Sequence, residues 1–235
     1  MTLYLFWDID GTLLTTARAG IFAWEEATEE VLGERIDMST MRTSGLTDAE
    51  IARELCLSRG VDDRAAVGAL LAAYERLLPE RLSWRQGHVL PNVRENLEAL
   101  DARDDVVNML LTGNVAGGAE AKLRHYGLWD HFRAGGAFSV EGCDRPAIAR
   151  RARELAAEHG GEEPPGERMV VIGDTPHDVR CGKAIGARTV AVASGPSYGV
   201  DELRACGPWV ALEAMPVPRE LMRLLGIDGG SPVER

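Results

Sequence analysis

The feature that most constrains this chain is its opening. The apolar run Leu3–Trp7 ends in two carboxylates, Asp8 and Asp10, followed by Gly11 and Thr12. A continuous apolar run bounded by a glycine reads as a strand buried on both faces, the pattern of a parallel sheet. Burying even one unpaired carboxylate is costly, and here two sit two residues apart at the strand's end. A cation is the simplest compensation, and magnesium takes hard oxygen ligands of this kind. Gly11 allows a sharp turn, and Thr12 adds a hydroxyl donor. In an open parallel sheet, ligands bind at the carboxyl ends of the strands.

The rest of the chain alternates in a way that suits such a sheet. Residues 17–32 carry Ile21, Phe22, Trp24, Ala27 and Val31 at helical spacing. Thr47 and Glu50 have the spacing of a capping box, which predicts a helix through Leu57. A third helix is expected over 64–82, and no strand pattern interrupts residues 16–85. Trp24, Phe22 and Trp84 are expected in the core of this segment. Strands are then expected at 106–114, 132–140, 168–175 and 188–194, alternating with helices over 92–102, 116–126, 145–159 and 176–185. Strands alternating with helices imply an α/β fold with a parallel, Rossmann-like sheet and right-handed crossovers. The expected organisation is an α/β core of residues 1–15 and 87–226. An α-helical cap of residues 16–86 interrupts it, and a flexible tail of residues 227–235 follows.

Composition narrows the function. The net charge of −11, with no basic patch, argues against nucleic acid or an anionic membrane as partner. Cys56, Cys143, Cys181 and Cys206 are scattered, without a Cys-x-x-Cys pair, and read as reduced thiols of a cytoplasmic protein. No apolar run approaches the roughly 18 residues of a membrane span. Nearly all positive charge is arginine. Lys122 and Lys183 are the only lysines, which limits where a catalytic lysine could lie.

Two further strand ends carry polar groups. Thr112, Gly113 and Asn114 close one predicted strand, a combination suited to phosphate oxygens because backbone amides can approach closely. Asp174 ends another and would face Asp8 and Asp10 across the sheet edge, with Asp178 one helical turn beyond. Such a carboxylate cluster would raise some of its own pKa values in the absence of a cation.

In order and context, Asp8-Ile9-Asp10-Gly11-Thr12, Thr112-Gly113-Asn114 and Gly173-Asp174-Thr175 with Asp178 resemble the motifs of the haloacid dehalogenase (HAD) superfamily in its phosphatase form. The region around Leu128 to Phe132 and the cap's position resemble the phosphoglycolate-phosphatase-like branch. The resemblance implies a HAD-type phosphomonoester hydrolase in which Asp8 is the nucleophile and Asp10 the acid and base. Magnesium would be held by Asp8, the Asp10 backbone carbonyl and Asp174. Thr112 would hold phosphoryl oxygens, with Gly11, Thr12, Gly113 and Asn114 contributing to phosphate binding. Where the family usually offers a lysine followed by proline, this chain has Arg145 and Pro146, and the role passes to Arg145. Lys122 is its rival and is expected at the surface. Asp178 is expected to orient Arg145 or a water molecule rather than ligate metal directly.

Arg18 and Arg42, near the cap loop 42–48, would suit a second anionic group on the substrate. The implied partner is a small phosphate ester, resembling phosphoglycolate, a sugar phosphate or a nucleoside monophosphate, bound by a monomer or homodimer. The alternatives are a sugar phosphomutase of the same superfamily and a non-catalytic binding or regulatory protein of the same fold. Absence of any lysine from the cap argues against a phosphonatase, and Asp10 argues against a dehalogenase.

Overall fold

The computed structural model describes residues 2–41 and 43–228. Its centre is β1 (Leu3–Trp7), whose residues are all buried. Leu3, Leu5 and Trp7 enter one hydrophobic cluster, and Tyr4 and Phe6 enter another on the opposite face. Alternating side chains thus feed two cores at once, which is why the run is apolar throughout.

After a tight turn comes β2 (Leu14–Thr15), then α1 (Gly20–Leu32), α2 (Asp48–Leu57) and α3 (Arg64–Arg81). The chain returns through β3 (His88–Val89), which pairs antiparallel with β2. There follow α4 (Val93–Asp101), β4 (Val106–Leu111), α5 (Ala116–His125), β5 (Gly136–Ala137), α6 (Arg145–Gly160), β6 (Met169–Gly173), α7 (Pro176–Ile185) and β7 (Arg188–Val192). The described chain closes with α8 (Val200–Ala205), β8 (Val210–Leu212) and α9 (Pro218–Leu225). The six-stranded sheet has the order β5-β4-β1-β6-β7-β8, and every pairing in it is parallel. The fold is α/β, as expected. Its strand order places β1 between β4 and β6, so the ends of these three strands lie side by side.

Helices α1 to α3 build their own hydrophobic cluster, which includes Ala23, Trp24, Ile51, Leu55, Leu70, Tyr74 and Leu78. Trp24 stacks on Tyr74 at 4.0 Å between ring centroids. Each fully buried leucine here is worth about 1.5–3 kcal/mol relative to exposure. The capping box at Thr47 and Glu50 forms as the spacing predicted. Val115 of the sheet-bearing part joins the same cluster, so apolar packing runs from the helices onto the start of α5.

Several expectations change. Helix α1 starts at Gly20 rather than at 17, because Ala17 and Arg18 both have positive φ and turn the chain. Trp84 is 49 % exposed; it lies against Phe22 and under the Arg81 guanidinium rather than in a core. The strand expected over 132–140 shortens to Gly136–Ala137. Gly135 takes φ 75° just before it, and a Cβ on Gly136 would lie 2.4 Å from that of Leu110. The glycines thus allow close approach to β4 but break the extended run. Strand β8, unforeseen, adds the far edge. Of the tail expected over 227–235, residues 229–235 lie outside the described residues. Among the described residues, no helix is long and apolar enough to cross a membrane.

Candidate active site

The turn after β1 is built by backbone bonds. The Ile9 carbonyl accepts from the amides of Thr12, Leu13 and Leu14, and the Gly11 amide donates to the Leu14 carbonyl at 2.9 Å. Gly11 has φ 84°, a conformation that disfavours a side chain, and a Cβ there would strike Asp174 at 2.3 Å. Glycine is required here because Asp174, at the end of β6, leans across this turn. Gly195 is needed for the same reason on the other side, since a Cβ would lie 1.7 Å from Asp174 Oδ2. Thr12 donates its hydroxyl to Asp174 Oδ1 at 3.3 Å, and Ser194 donates to the Gly11 carbonyl at 2.7 Å. Behind the turn, the Trp7 indole donates to Asn108 Oδ1 at 2.9 Å and ties β1 to β4. The Asp8 amide donates to the Ile172 carbonyl and ties it to β6.

Asp8, Asp174 and Asp178 are all buried and present carboxylate oxygens within 4.8 Å of one another. Burial raises the Asp8 pKa to about 7, helped by Asp178 and Asp10 and opposed by Arg145 and by a hydrogen bond with Thr112. Burial likewise raises Asp174 to about 9, with Asp8, Asp178 and Asp10 adding repulsion. The group is short of positive charge, and its buried oxygen donors match what a hard divalent cation takes. Asp178 is the least free of the three. Its Oδ2 accepts from the Thr175 amide at 2.9 Å and the Thr175 hydroxyl at 2.7 Å, closing the capping box of α7.

Arg145, the first residue of α6, lies against this group. Its Nη1 is 3.9 Å from Asp8 Oδ1 and 3.5 Å from Asp178 Oδ1. Burial works against its charge, but Asp8 and Asp178 outweigh it and hold the pKa above the ordinary value. Among the described residues, that long contact to Asp178 is the guanidinium's sole hydrogen bond. Gly113 admits it: a Cβ there would lie 2.8 Å from Arg145 Nη2 and 3.1 Å from the Leu46 carbonyl.

Asp10 takes no part in the buried trio. Its side chain is 44 % exposed, and Oδ2 accepts from Asn114 Nδ2 at 2.9 Å and from Lys122 Nζ at 2.6 Å. Lys122 Nζ also donates to Asn114 Oδ1 at 2.5 Å, and Asn114 Nδ2 donates to Thr112 Oγ1 at 2.8 Å. Lys122 was expected at the surface, and the structure overturns this: its side chain is 7 % exposed. It occupies the inner face of α5 with Gly118, Ala119 and Leu123. The signal was in the sequence, for position 122 is three residues from one apolar position and adjacent to another. Burial opposes the Lys122 ammonium, but Asp10 and Asp48 outweigh it and raise its pKa.

Asp48 also escaped sequence reasoning, which saw only a helix start. It is buried in the first turn of α2, and its Oδ2 accepts from the Val115 amide at 2.8 Å. Its own amide donates to the Gly113 carbonyl at 2.7 Å, and the next amide, Ala49, to Ser139 Oγ at 3.2 Å. The helical layer is thereby bonded to the loop that carries Thr112 and Asn114. Burial raises the Asp48 pKa to about 6, against the pull of Lys122.

Of the remaining expected residues, Arg18 is spent elsewhere: its Nη2 donates to the carbonyls of Met38 and Ser39 at 3.2 and 3.0 Å. Arg42 lies outside the described residues. His177, at the start of α7, contacts Arg180 at 2.8 Å through Nδ1, and its ring lies against Gly45. Burial, then Arg180, lowers its pKa.

Comparison with known proteins gives three findings. The family model described as haloacid dehalogenase-like hydrolase matches residues 5–183. No curated protein sequence matches the chain significantly. Solved structures resemble it over nearly its whole length. A HAD hydrolase of family IA, variant 3, from Entamoeba histolytica has a TM-score of 0.70 at 19% identity, covering 97% of this chain and 98% of that one. A predicted phosphoglycolate phosphatase from Haemophilus somnus has a TM-score of 0.68 at 16% identity, covering 94% and 96%. A candidate beta-phosphoglucomutase from Bacteroides vulgatus has a TM-score of 0.66 at 20% identity, covering 95% and 88%. At these identities the likeness is one of fold.

Proposed function

Because the chain belongs to the haloacid dehalogenase-like hydrolase family, we propose that it is a phosphatase of small phosphorylated metabolites that works through an acyl phosphate (aspartyl-phosphate) of Asp8. The observation that carries this reading is Arg145. A buried guanidinium has five donors and normally uses them. This one makes a single long hydrogen bond among the described residues while lying 3.9 Å from Asp8. A phosphoryl group at Asp8 would meet those donors in the charge-assisted, forked manner that suits arginine.

Magnesium bound by Asp8, Asp174 and the Asp10 carbonyl would neutralise charge on the nucleophile and the phosphoryl oxygens. The chain's own residues do the rest. The Asp8 carboxylate attacks phosphorus, forming an O–P bond as the bond to the leaving oxygen breaks. Asp10 gives its proton to that oxygen, and the alcohol departs. Asp10 then takes a proton from water as the water oxygen attacks phosphorus and the Asp8 O–P bond breaks. Inorganic phosphate leaves, and Asp8 and Asp10 return to their starting states. Thr112, Arg145 and the amide of Gly113 hold the phosphoryl oxygens, while the Asn114 amide donates to Thr112 Oγ1 at 3.3 Å. Gly11 allows the close approach of Asp174, and Thr12 orients it. Asp178 keeps Arg145 in place.

The fold and family are shared with enzymes that move phosphate between two hydroxyls of one sugar, so the products decide between the readings. The test is hydrolysis of p-nitrophenyl phosphate with and without magnesium, followed by a panel of phosphorylated metabolites compared by kcat/KM. Stoichiometric release of inorganic phosphate is expected. An isomerised sugar phosphate without phosphate release would favour the mutase, and no turnover of any ester would remove the catalytic reading.

A further inference from the structure

Lys122 has no part in the reactions just described, yet it is a buried ammonium beside the acid–base group. We propose that Lys122 is a positioning residue for Asp10: together with Asn114 it holds the carboxylate in the one orientation from which it exchanges a proton with the leaving oxygen. The inference rests on the phosphatase reading and adds a residue to it.

The geometry is one-sided. Both donors, Asn114 Nδ2 at 2.9 Å and Lys122 Nζ at 2.6 Å, converge on Oδ2 of Asp10. The other oxygen, Oδ1, has no hydrogen-bond partner among the described residues, and the side chain is 44 % exposed. One oxygen is therefore anchored while the other can serve a reacting group. A side chain held at only one point by a neutral amide would swing. A second, charged donor fixed by burial removes that freedom, and small displacements of a catalytic group are costly.

The anchor is itself fixed. Lys122 lies on the inner face of α5 and reaches a second acceptor, Asn114 Oδ1, at 2.5 Å, so the ammonium cannot leave without losing two partners. Asn114 is locked in turn by Thr112 Oγ1 at 2.8 Å. Helix α5 is held at its first turn, where the Gly117 amide donates to Glu75 Oε1 of α3 at 2.8 Å. The arrangement also gives Asp10, whose charge adds to the repulsion on Asp8 and Asp174, a cation of its own.

A buried ion pair can also be merely structural, and the two roles make different predictions. Proton donation matters greatly when the leaving oxygen is an alkoxide and little when it is p-nitrophenolate. The experiment compares kcat/KM, with magnesium saturating, for p-nitrophenyl phosphate and for the alkyl phosphate that the wild type hydrolyses best. In Lys122→Met the alkyl ester should lose on the order of 10² more than the aryl ester, the scale of acid catalysis. Lys122→Arg, which restores a charged donor, should bring the ratio back toward the wild-type value. The ratio is taken within one preparation, so a reduced folded fraction cancels from it. Equal losses on both esters, or no loss on either, would overturn the positioning role while leaving the phosphatase reading intact. A wild type inactive on both esters would remove the phosphatase reading and this inference with it.

Discussion

Two groups of acidic side chains flank the end of β1, and they are balanced in opposite ways. Asp8, Asp174 and Asp178 are buried together, and one arginine lies against two of them, Asp8 and Asp178. Burial, with their repulsion adding to it, raises Asp8 to about 7 and Asp174 to about 9. Asp10 lies on the other side, half-exposed, with its own lysine and amide. Carboxylates on neighbouring turns of the chain thus have different partners. A group short of positive charge can take a cation and an anionic substrate together. A carboxylate already paired is held for a separate task. The proposed nucleophile and the proposed acid therefore do not compete for the same partners.

The largest effect should come from removing the nucleophile. Asp8→Asn keeps shape and deletes charge, so kcat should fall by at least about 10³, as when a covalent nucleophile is lost. Substrate binding, measured by equilibrium titration, should persist or tighten, since one like charge near the phosphate is gone. Turnover close to wild type would dissolve the distinction between the two acidic groups.

Arg145 serves the first group alone. Arg145→Ala should lower kcat/KM on the order of 10²–10³, the usual loss for a charged donor that acts on the transition state. Arg145→Lys should recover part of this, because it restores the charge without the fork. Full recovery would mean that the forked geometry is irrelevant.

Metal affinity should separate the groups directly. By calorimetric titration, Asp174→Asn should weaken magnesium binding at least about tenfold, with Asp10→Asn leaving it within a few-fold. Asp10→Asn should nonetheless slow hydrolysis of alkyl esters on the order of 10²-fold or more. Equal metal affinities in the two variants would erase the comparison.

The smallest effect concerns Asp48, on the lysine's side. Its folded pKa of about 6 lies above the ordinary carboxylate value. The folded state therefore binds the proton more tightly than the unfolded state between these values. The stability this contributes is complete below about 4 and disappears as pH rises through about 6. Asp48→Asn, whose amide oxygen can still accept from Val115, lacks this dependence. Relative to wild type, the variant should gain on the order of 2 kcal/mol between pH 4 and pH 8, read from urea midpoints. A difference that does not vary with pH would show that Lys122 already compensates Asp48 fully.

Much of this arrangement was legible beforehand. The alternation of apolar runs with helical spacing led to an α/β sheet with a helical layer after β1, and the polar ends of those runs marked Asp8, Asp10, Thr112, Asn114 and Asp174. Short-range rules suffice there, because a residue at the end of a buried strand has its position set by its own neighbours. Thr47 and Glu50 were readable for the same reason, since a cap is made within one turn.

What sequence could not decide was how those groups divide. Lys122 read as surface because lysine usually is, and only the packing of α5 against the site turned it inward. Asp48 read as a helix start, and only the docking of α2 on the Gly113–Val115 loop made it a bond across elements. Trp84 read as core, and the end of the third helix left it on the surface. Local chemistry is written in adjacent residues and can be read from them. The partner of a charge is chosen by which elements meet in space, and those elements lie tens of residues apart.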